Sequence, residues 1–163
     1  MKKIICLVLC ACLYKLAMAQ ADSTLIYLRF PTVPPFNIIK VPDSTRFTKD
    51  DLSKKRATVI IIFSPDCDHC QHATKELTAS IELFKKAQII MASSLEFAYL
   101  KKFYEEYKIA DYPNIIMGWD PSYFFSTFFR VRSFPAIFVY DKKGDFIKSF
   151  DGSVPVEKVA EAL

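Results

Sequence analysis

The sequence predicts an α/β protein in which helices flank a mixed central β-sheet, with one extra β-hairpin ahead of the main strands. Three observations predict it. Residues 57–63, ATVIIIF, are an unbroken β-branched apolar run, the pattern of a strand buried on both faces. Helical periodicity follows, with Ala73, Leu77, Ile81 and Phe84 spaced three or four apart. Near the C-terminus, residues 136–140 and 146–150 flank Lys142-Lys143-Gly144-Asp145, so they read as strand, turn and return strand.

The first nineteen residues stand apart. Lys2 and Lys3 precede an apolar run from Ile4 to Tyr14, and Ala17-Met18-Ala19 supplies small residues at the positions a signal peptidase reads. The run of eleven residues is short for a spanning helix, which needs about 20. The expectation is a signal peptide, residues 1–19, cleaved after Ala19, and an exported, periplasmic or extracytoplasmic chain. A lipoprotein with Cys12 lipidated is a poorer match, because Cys10 and Ala11 precede it and an apolar stretch follows. Residues 20–163 are then one folded domain.

Along that domain, Leu25 to Phe30 alternates and meets Pro31, Pro34 and Pro35, which suggests an edge strand and an extended connection. Phe36 to Lys40 is a strand, Pro42-Asp43-Ser44 a turn, and Thr45 to Thr48 the returning strand. Lys49 to Arg56 is polar and suits a short helical turn. After the 57–63 strand, Pro65 breaks the chain and Asp66 is a candidate N-cap for a helix from Cys67 to Lys86. Ala87 to Ala92 is a strand. Ser93 or Ser94 can cap a helix from Leu95 to about Tyr107, its turns marked by Leu95, Ala98, Tyr99, Lys102, Phe103 and Glu106. Asn114 to Gly118 is a strand, and Pro121 to Phe129 a short aromatic helix opened by proline. Most of its rings belong in the core, with one or two left exposed. Val156 to Leu163 closes the chain as a helix.

Removing the leader changes two tallies. The formal charge falls from +4 to +1, because three lysines and no acid leave. That balance predicts no nucleic-acid partner, since phosphate binding needs a concentrated basic face. Cys6, Cys10 and Cys12 also leave, so only Cys67 and Cys70 remain. A bridge between them closes a tiny loop and would staple the fold weakly. A pair that opens and closes is the better reading in an oxidising compartment.

Disulfide exchange needs an exposed thiolate and a second thiol within reach of the mixed disulfide. Residues three apart share a helix face, so Cys67 and Cys70 can bond. Cys67 at the helix start meets free N–H groups and the positive dipole end, which favour a thiolate. It is the expected nucleophile, and Cys70, one turn in, the resolving thiol. A protonated His69 favours the thiolate while Asp66 and Asp68 disfavour it, so the direction of electron flow stays open. Zinc or copper binding by Cys67, His69, Cys70 and His72 is a weaker alternative. Residues 67 and 70 share a face while 69 and 72 point elsewhere, and no metal or other cofactor is expected.

F-S-P-D-C-D-H-C after a β-branched strand resembles the active site of the thioredoxin fold. The hairpin ahead of that strand, within Pro35 to Leu52, is similar to the exported TlpA/ResA-like branch, related to the AhpC/TSA group. V-R-S-F-P-A-I-F-V-Y-D-K-K-G, residues 131–144, resembles the segment carrying the cis-proline beside the active site. The resemblance spans residues 34–150. It implies a thiol:disulfide oxidoreductase with Cys67 and Cys70 catalytic, Pro135 shaping the substrate groove, and Phe134 before it. Protein thiols and disulfides are the implied partners, with a membrane electron-transfer partner, and the protein is expected to be a monomer. There are two departures, and the second bears on proton handling. Asp66 stands where the family usually has tryptophan, and Ile61 where many members have a buried acid that assists the second cysteine. A thiol peroxidase is the enzymatic alternative, since Ser64 lies three before Cys67. Ile60 stands in place of the expected upstream proline, and neither Arg130 nor Arg132 is a clear match for the active-site arginine.

Overall fold

The computed structural model describes residues 25–163. The expected leader, its cleavage after Ala19, and Cys6, Cys10 and Cys12 lie outside the described residues. No helix among the described residues is long and apolar enough to cross a membrane.

The 57–63 run sets the architecture. Strand β3 (Ala57–Ile62) pairs in parallel with β4 (Ala87–Ser93) on one edge and antiparallel with β6 (Ala136–Tyr140) on the other. Its side chains alternate between two cores. Val59, Ile61 and Phe63 enter one, with Leu77, Leu100 and Phe103. Ile60 and Ile62 enter the other, with Phe125, Phe129 and Phe138. Burial on both faces is what an unbroken apolar run dictates. Helices α2 (Asp68–Ala79), α3 (Phe97–Glu106) and α5 (Val156–Ala160) supply the first core, and α1 (Ile26–Arg29) and α4 (Phe124–Phe128) the second. Together with β5 (Ile115–Trp119) and β7 (Phe146–Asp151), and the hairpin β1 (Asn37–Lys40) and β2 (Arg46–Thr48), the strands form one seven-stranded mixed sheet, in the order β2-β1-β5-β4-β3-β6-β7.

The expected N-terminal hairpin is present. Asn37, Ile38 and Ile39 pair with Thr48, Phe47 and Arg46, and Ile39 also faces Trp119 of β5 across an antiparallel pair. In its turn, Asp43 accepts from the Thr45 N–H at 2.9 Å and the Thr45 hydroxyl at 2.7 Å. Those bonds hold its carboxyl down at about 2. The Val41–Pro42 bond in this turn is cis.

Four elements differ from expectation. Residues 25–30 are the short helix α1, not an edge strand. A strand there would have to run into Pro31, Pro34 and Pro35, which offer no N–H to a ladder. The helix instead docks one side chain, Tyr27, whose ring meets Phe138 edge-on at 5.2 Å and Phe146 at 5.4 Å. Only Thr32 bridges to Asp145 at the sheet edge. The 67–86 helix ends at Ala79, and a separate 3-10 turn covers Ile81–Phe84. Helix α3 begins at Phe97, and the Ser93 hydroxyl accepts from the Leu95 N–H at 3.3 Å rather than capping it. Its buried face is Leu100 and Phe103, while Tyr99 is exposed. Finally, α4 begins at Phe124, three residues beyond Pro121. Its start is set by the buried Asp120, which accepts from the Phe125 N–H at 2.9 Å and the Ser122 hydroxyl at 2.8 Å. As expected, the aromatic helix divides its rings. Phe125 and Phe129 are buried and Tyr123 is exposed.

One close approach ties the hairpin to the central sheet. Gly118 of β5 lies beneath the fully buried Ile38, where an added Cβ would stand 2.8 Å from Ile38 Cγ1 and 3.1 Å from Ile38 Cβ. The branched stem cannot turn away from both contacts. Gly118→Ala is expected to destabilise the fold by about 1–3 kcal/mol, read as a lowered midpoint in urea unfolding.

Candidate active site

Strand β3 delivers the chain to the site. Phe63 is held to the sheet by its N–H to the Ala92 carbonyl at 3.0 Å, and the Cys67 N–H then closes a tight turn onto the Ser64 carbonyl at 3.1 Å. Pro65 prevents the ladder from continuing. The turn is braced by Gln71, whose side chain donates to the Pro65 carbonyl at 2.9 Å.

Cys67 itself is the N-cap of α2, in extended backbone conformation. Its carbonyl accepts from the N–H groups of Cys70 at 2.9 Å and Gln71 at 3.0 Å. Its sulfur accepts from the Cys70 N–H at 3.4 Å, taking the place a serine or aspartate oxygen usually fills. The expected cap, Asp66, is occupied elsewhere. It is exposed, and the Ser64 hydroxyl donates to its carboxylate. With Asp66 engaged there, the free amides of the helix start are left to the thiol.

The two sulfurs sit in different media. Cys67 is half-buried, whereas Cys70 is 1% exposed. Both thiols are free. Burial pushes the Cys70 thiol up to about 12. A hydrogen bond with the Cys67 side chain and the nearby charges of Cys67 and Asp66 act the same way, and the Ser64 backbone N–H opposes them. Behind Cys70 lies a void of about 20 Å³, walled by Ile61, Thr74, Leu77, Pro135 and Ile137 among others. Its lining is apolar and holds no acid or base, so Cys70 has no proton acceptor on that side. Thr74 spends its hydroxyl on the Cys70 carbonyl at 2.8 Å.

The other wall comes from far along the chain. The Phe134–Pro135 bond is cis, and Pro135 is buried against the void while Phe134 is 40% exposed. The Cys67 thiol lies 3.8 Å from the Phe134 carbonyl and donates to it, a contact spanning 67 residues of sequence. Thus Cys67, Cys70, Phe134 and Pro135 are brought together. Asp68 and His69 are exposed at the first turn of α2, and among the described residues neither enters an ion pair. His72 lies on the exposed flank of the helix, 3.1 Å from Glu76. Among the described residues, no three His, Cys, Asp or Glu side chains converge on a point that could hold a metal. Arg130 and Arg132 are exposed on the loop leading to Phe134, and Arg130 has a left-handed backbone (φ 55°). Sequence reasoning did not find the Ser64–Asp66 pair or the Thr74 bond, although a serine two before an aspartate after a strand end is a recognisable turn signal.

A dithiol at a helix start, beside a cis-proline and next to a doubly buried strand, has close structural parallels. The pneumococcal exposed lipoprotein thioredoxin Etrx1 from Streptococcus pneumoniae superposes with a TM-score of 0.60 at 21% identity, over 80% of this chain and 100% of that one. The chain has the thioredoxin fold. Peroxidoxin BcpB from Mycobacterium tuberculosis gives 0.68 at 14% identity, over 80% and 92% of the two chains. A secreted M. tuberculosis disulfide oxidoreductase, described as homologous to E. coli DsbE, gives 0.66 at 14%, over 78% and 93%. No family model matches the chain, and no curated protein does. At these identities the likeness is one of fold.

The asymmetry between the sulfurs has a direct readout. Iodoacetamide applied to the reduced native protein near neutral pH is expected to alkylate Cys67 at least about a hundredfold faster than Cys70. Peptide mass spectrometry before and after denaturation checks it, with Cys70 becoming reactive only when unfolded.

Proposed function

We propose that the protein is an exported thiol:disulfide oxidoreductase of the TlpA/ResA-like kind, with Cys67 as nucleophile and Cys70 as resolving thiol. The observation that carries this reading is the half-exposed Cys67 sulfur between the α2 amide and the Phe134 carbonyl, with Cys70 buried one turn behind. The Cys67 thiolate attacks one sulfur of a substrate disulfide. A Cys67–substrate bond forms, the substrate S–S bond breaks, and the departing thiolate takes a proton. Cys70 then loses its proton and attacks the Cys67 sulfur, releasing the second substrate thiolate. Two electrons pass to the substrate, and the protein holds the Cys67–Cys70 disulfide. The same steps in reverse oxidise a dithiol, and the partner's potential sets the direction.

Pro135 and Phe134 form the groove wall against which a substrate segment lies. Asp66, Asp68 and His69 tune the pair or contact the substrate. Protein thiols and disulfides are the substrate class, and a membrane electron-transfer partner resets the dithiol. Export rests on the signal-peptide pattern of residues 1–19. It fits the company of an exposed lipoprotein and a secreted oxidoreductase with this fold. The peroxidase reading is supported by the likeness to a peroxidoxin. It is weakened by Ser64, whose hydroxyl is committed to Asp66 rather than free to hold a peroxide.

Cys67→Ser is expected to lower insulin-disulfide reduction, or dithiol oxidation, by at least about a hundredfold. Cys70→Ser is expected to retain attack and accumulate a mixed disulfide on Cys67, seen as a mass adduct. Full activity in Cys67→Ser sinks the proposal, and rapid Cys67-dependent hydrogen peroxide consumption in the absence of disulfide exchange favours the peroxidase.

The buried Cys70 thiol makes the second step pH-dependent. Burial, the largest cause of its raised ionisation, persists when Cys67 is tied up in the mixed disulfide, so at neutral pH the attacking thiolate is the minor form. Resolution should therefore speed up about tenfold per pH unit between roughly 6 and 9. Ile61→Asp places a carboxylate in the wall of the void beside Cys70. It is expected to accelerate resolution about tenfold at neutral pH while lowering stability. Stopped-flow measurement of leaving-thiol release from a preformed mixed disulfide tests both.

A further inference from the structure

The fold segregates charge in a way net charge conceals. At the pole where β3 and β4 begin, opposite the dithiol, one concavity is walled by Lys55, Arg56, Lys85, Lys86 and Lys142. A second, sharing Arg56 and Lys142, adds Lys49, Lys54 and Lys143. Three carboxylates, Asp50, Glu82 and Asp141, share these walls. Asp141 is taken up by the turn, accepting from the N–H groups of Lys143 at 2.7 Å and Asp145 at 2.9 Å. Among the described residues the ion pairs are Lys40–Asp43 and His72–Glu76, so none of the eight cations is neutralised by a salt bridge. The basic face that a net charge of +1 argued against is therefore present.

Two exposed apolar side chains stand among these cations, Leu83 at 50% and Leu163 at 40%, both in the wall of the first concavity. We propose that this pole is a docking surface for a bilayer containing anionic phospholipid, with the lysines on the headgroups and Leu83 reaching the acyl boundary. Cations ringing exposed aliphatic side chains match that interface in both charge and polarity. A single-stranded nucleic acid would instead be met by aromatic stacking platforms, and neither concavity has an aromatic residue in its wall. Strand β3, six residues long, separates the two poles by about 20 Å. A protein docked this way presents Cys67 away from the bilayer, open to substrates. The surface is separate from the dithiol, so it stands or falls independently of the redox reading.

The test is co-sedimentation of the full chain with phosphatidylcholine vesicles and with vesicles carrying about 30 per cent phosphatidylglycerol. Wild type and variants share residues 1–24, so any contribution from that segment is common to all. Wild type is expected to favour the anionic vesicles at least about tenfold, and to lose the preference in about 0.5 M salt, where charge is screened within a few ångströms. Each cation near such a surface is worth about fivefold in partitioning. Lys85→Glu with Lys86→Glu should therefore lower anionic binding by at least about 25-fold. Lys142→Glu with Lys143→Glu should do the same, and Leu83→Ala should weaken binding to anionic vesicles several-fold. Unchanged circular dichroism and unchanged disulfide exchange in solution establish that each variant is folded. Equal partition between the two vesicle types overturns the proposal, as does a preference surviving both double variants. Retention on an immobilised acidic peptide without binding to anionic vesicles assigns the face to an acidic protein partner, and also overturns it.

Discussion

Strand β3 has hydrogen-bonded neighbours on both edges and packed helices on both faces, so every residue of it beyond Ala57 is buried. That constraint organises the molecule. An apolar side chain on either face, if lost, would leave a cavity worth about 2–5 kcal/mol, so the register of β3 is strongly held. Its C-terminal end is correspondingly fixed. Beyond Phe63 the chain must leave the sheet, Pro65 forces the turn, and Cys67 arrives at the start of α2 at a set depth. Because β6 pairs with β3 in antiparallel register, with Ala136 opposite Ile62, the preceding Phe134 and Pro135 are carried to the same end. The contact between the Cys67 sulfur and the Phe134 carbonyl is thus a consequence of strand pairing, not a local feature of either loop.

The proposed chemistry follows from the different depths of two sulfurs one helical turn apart. Cys67 faces outward with helix amides behind it, and Cys70 faces an apolar void. A pair at one depth would compete for the nucleophile's role. Here burial keeps the Cys70 proton in place, and in the proposed reaction that leaves attack on an incoming disulfide to Cys67. The departure at Ile61 sharpens the contrast, since the wall that could hold a proton acceptor for Cys70 is hydrocarbon. Asp66 and Asp68 flank Cys67 in sequence, but both are exposed, and Asp66 is bonded to Ser64.

Much of this was legible from local pattern. The unbroken ATVIIIF run, the β/α alternation, the N-terminal hairpin and the Lys142–Asp145 turn each rest on periodicity or turn chemistry within about ten residues. Where the pattern misled, a distant partner decided. Leu25 to Phe30 alternates like a strand, yet a pocket formed by Phe129, Phe138 and Phe146 captures Tyr27 alone, and the flanking prolines deny the rest a ladder. Pro121 looked like a helix start, but the helix begins three residues later, where the Phe125 N–H meets the buried Asp120 carboxylate. Asp66 looked like a cap, but its bond to Ser64 leaves that place to Cys67.

Sequence alone specifies the order of strands and helices from Phe36 onward, the placement of the Cys67–Cys70 pair at a strand-to-helix junction, and the candidate proline downstream. These depend on side-chain periods and on residues within one or two turns of each other. Tertiary structure decided which sulfur is covered, what lies across from Cys67, and what surrounds Cys70. It also decided that eight cations separated by up to ninety-four positions, from Lys49 to Lys143, share one pole. Burial, field and long-range contact are properties of neighbours in space. A nearly balanced composition is compatible with an even surface or with a polar one, and only the path of the chain chooses between them.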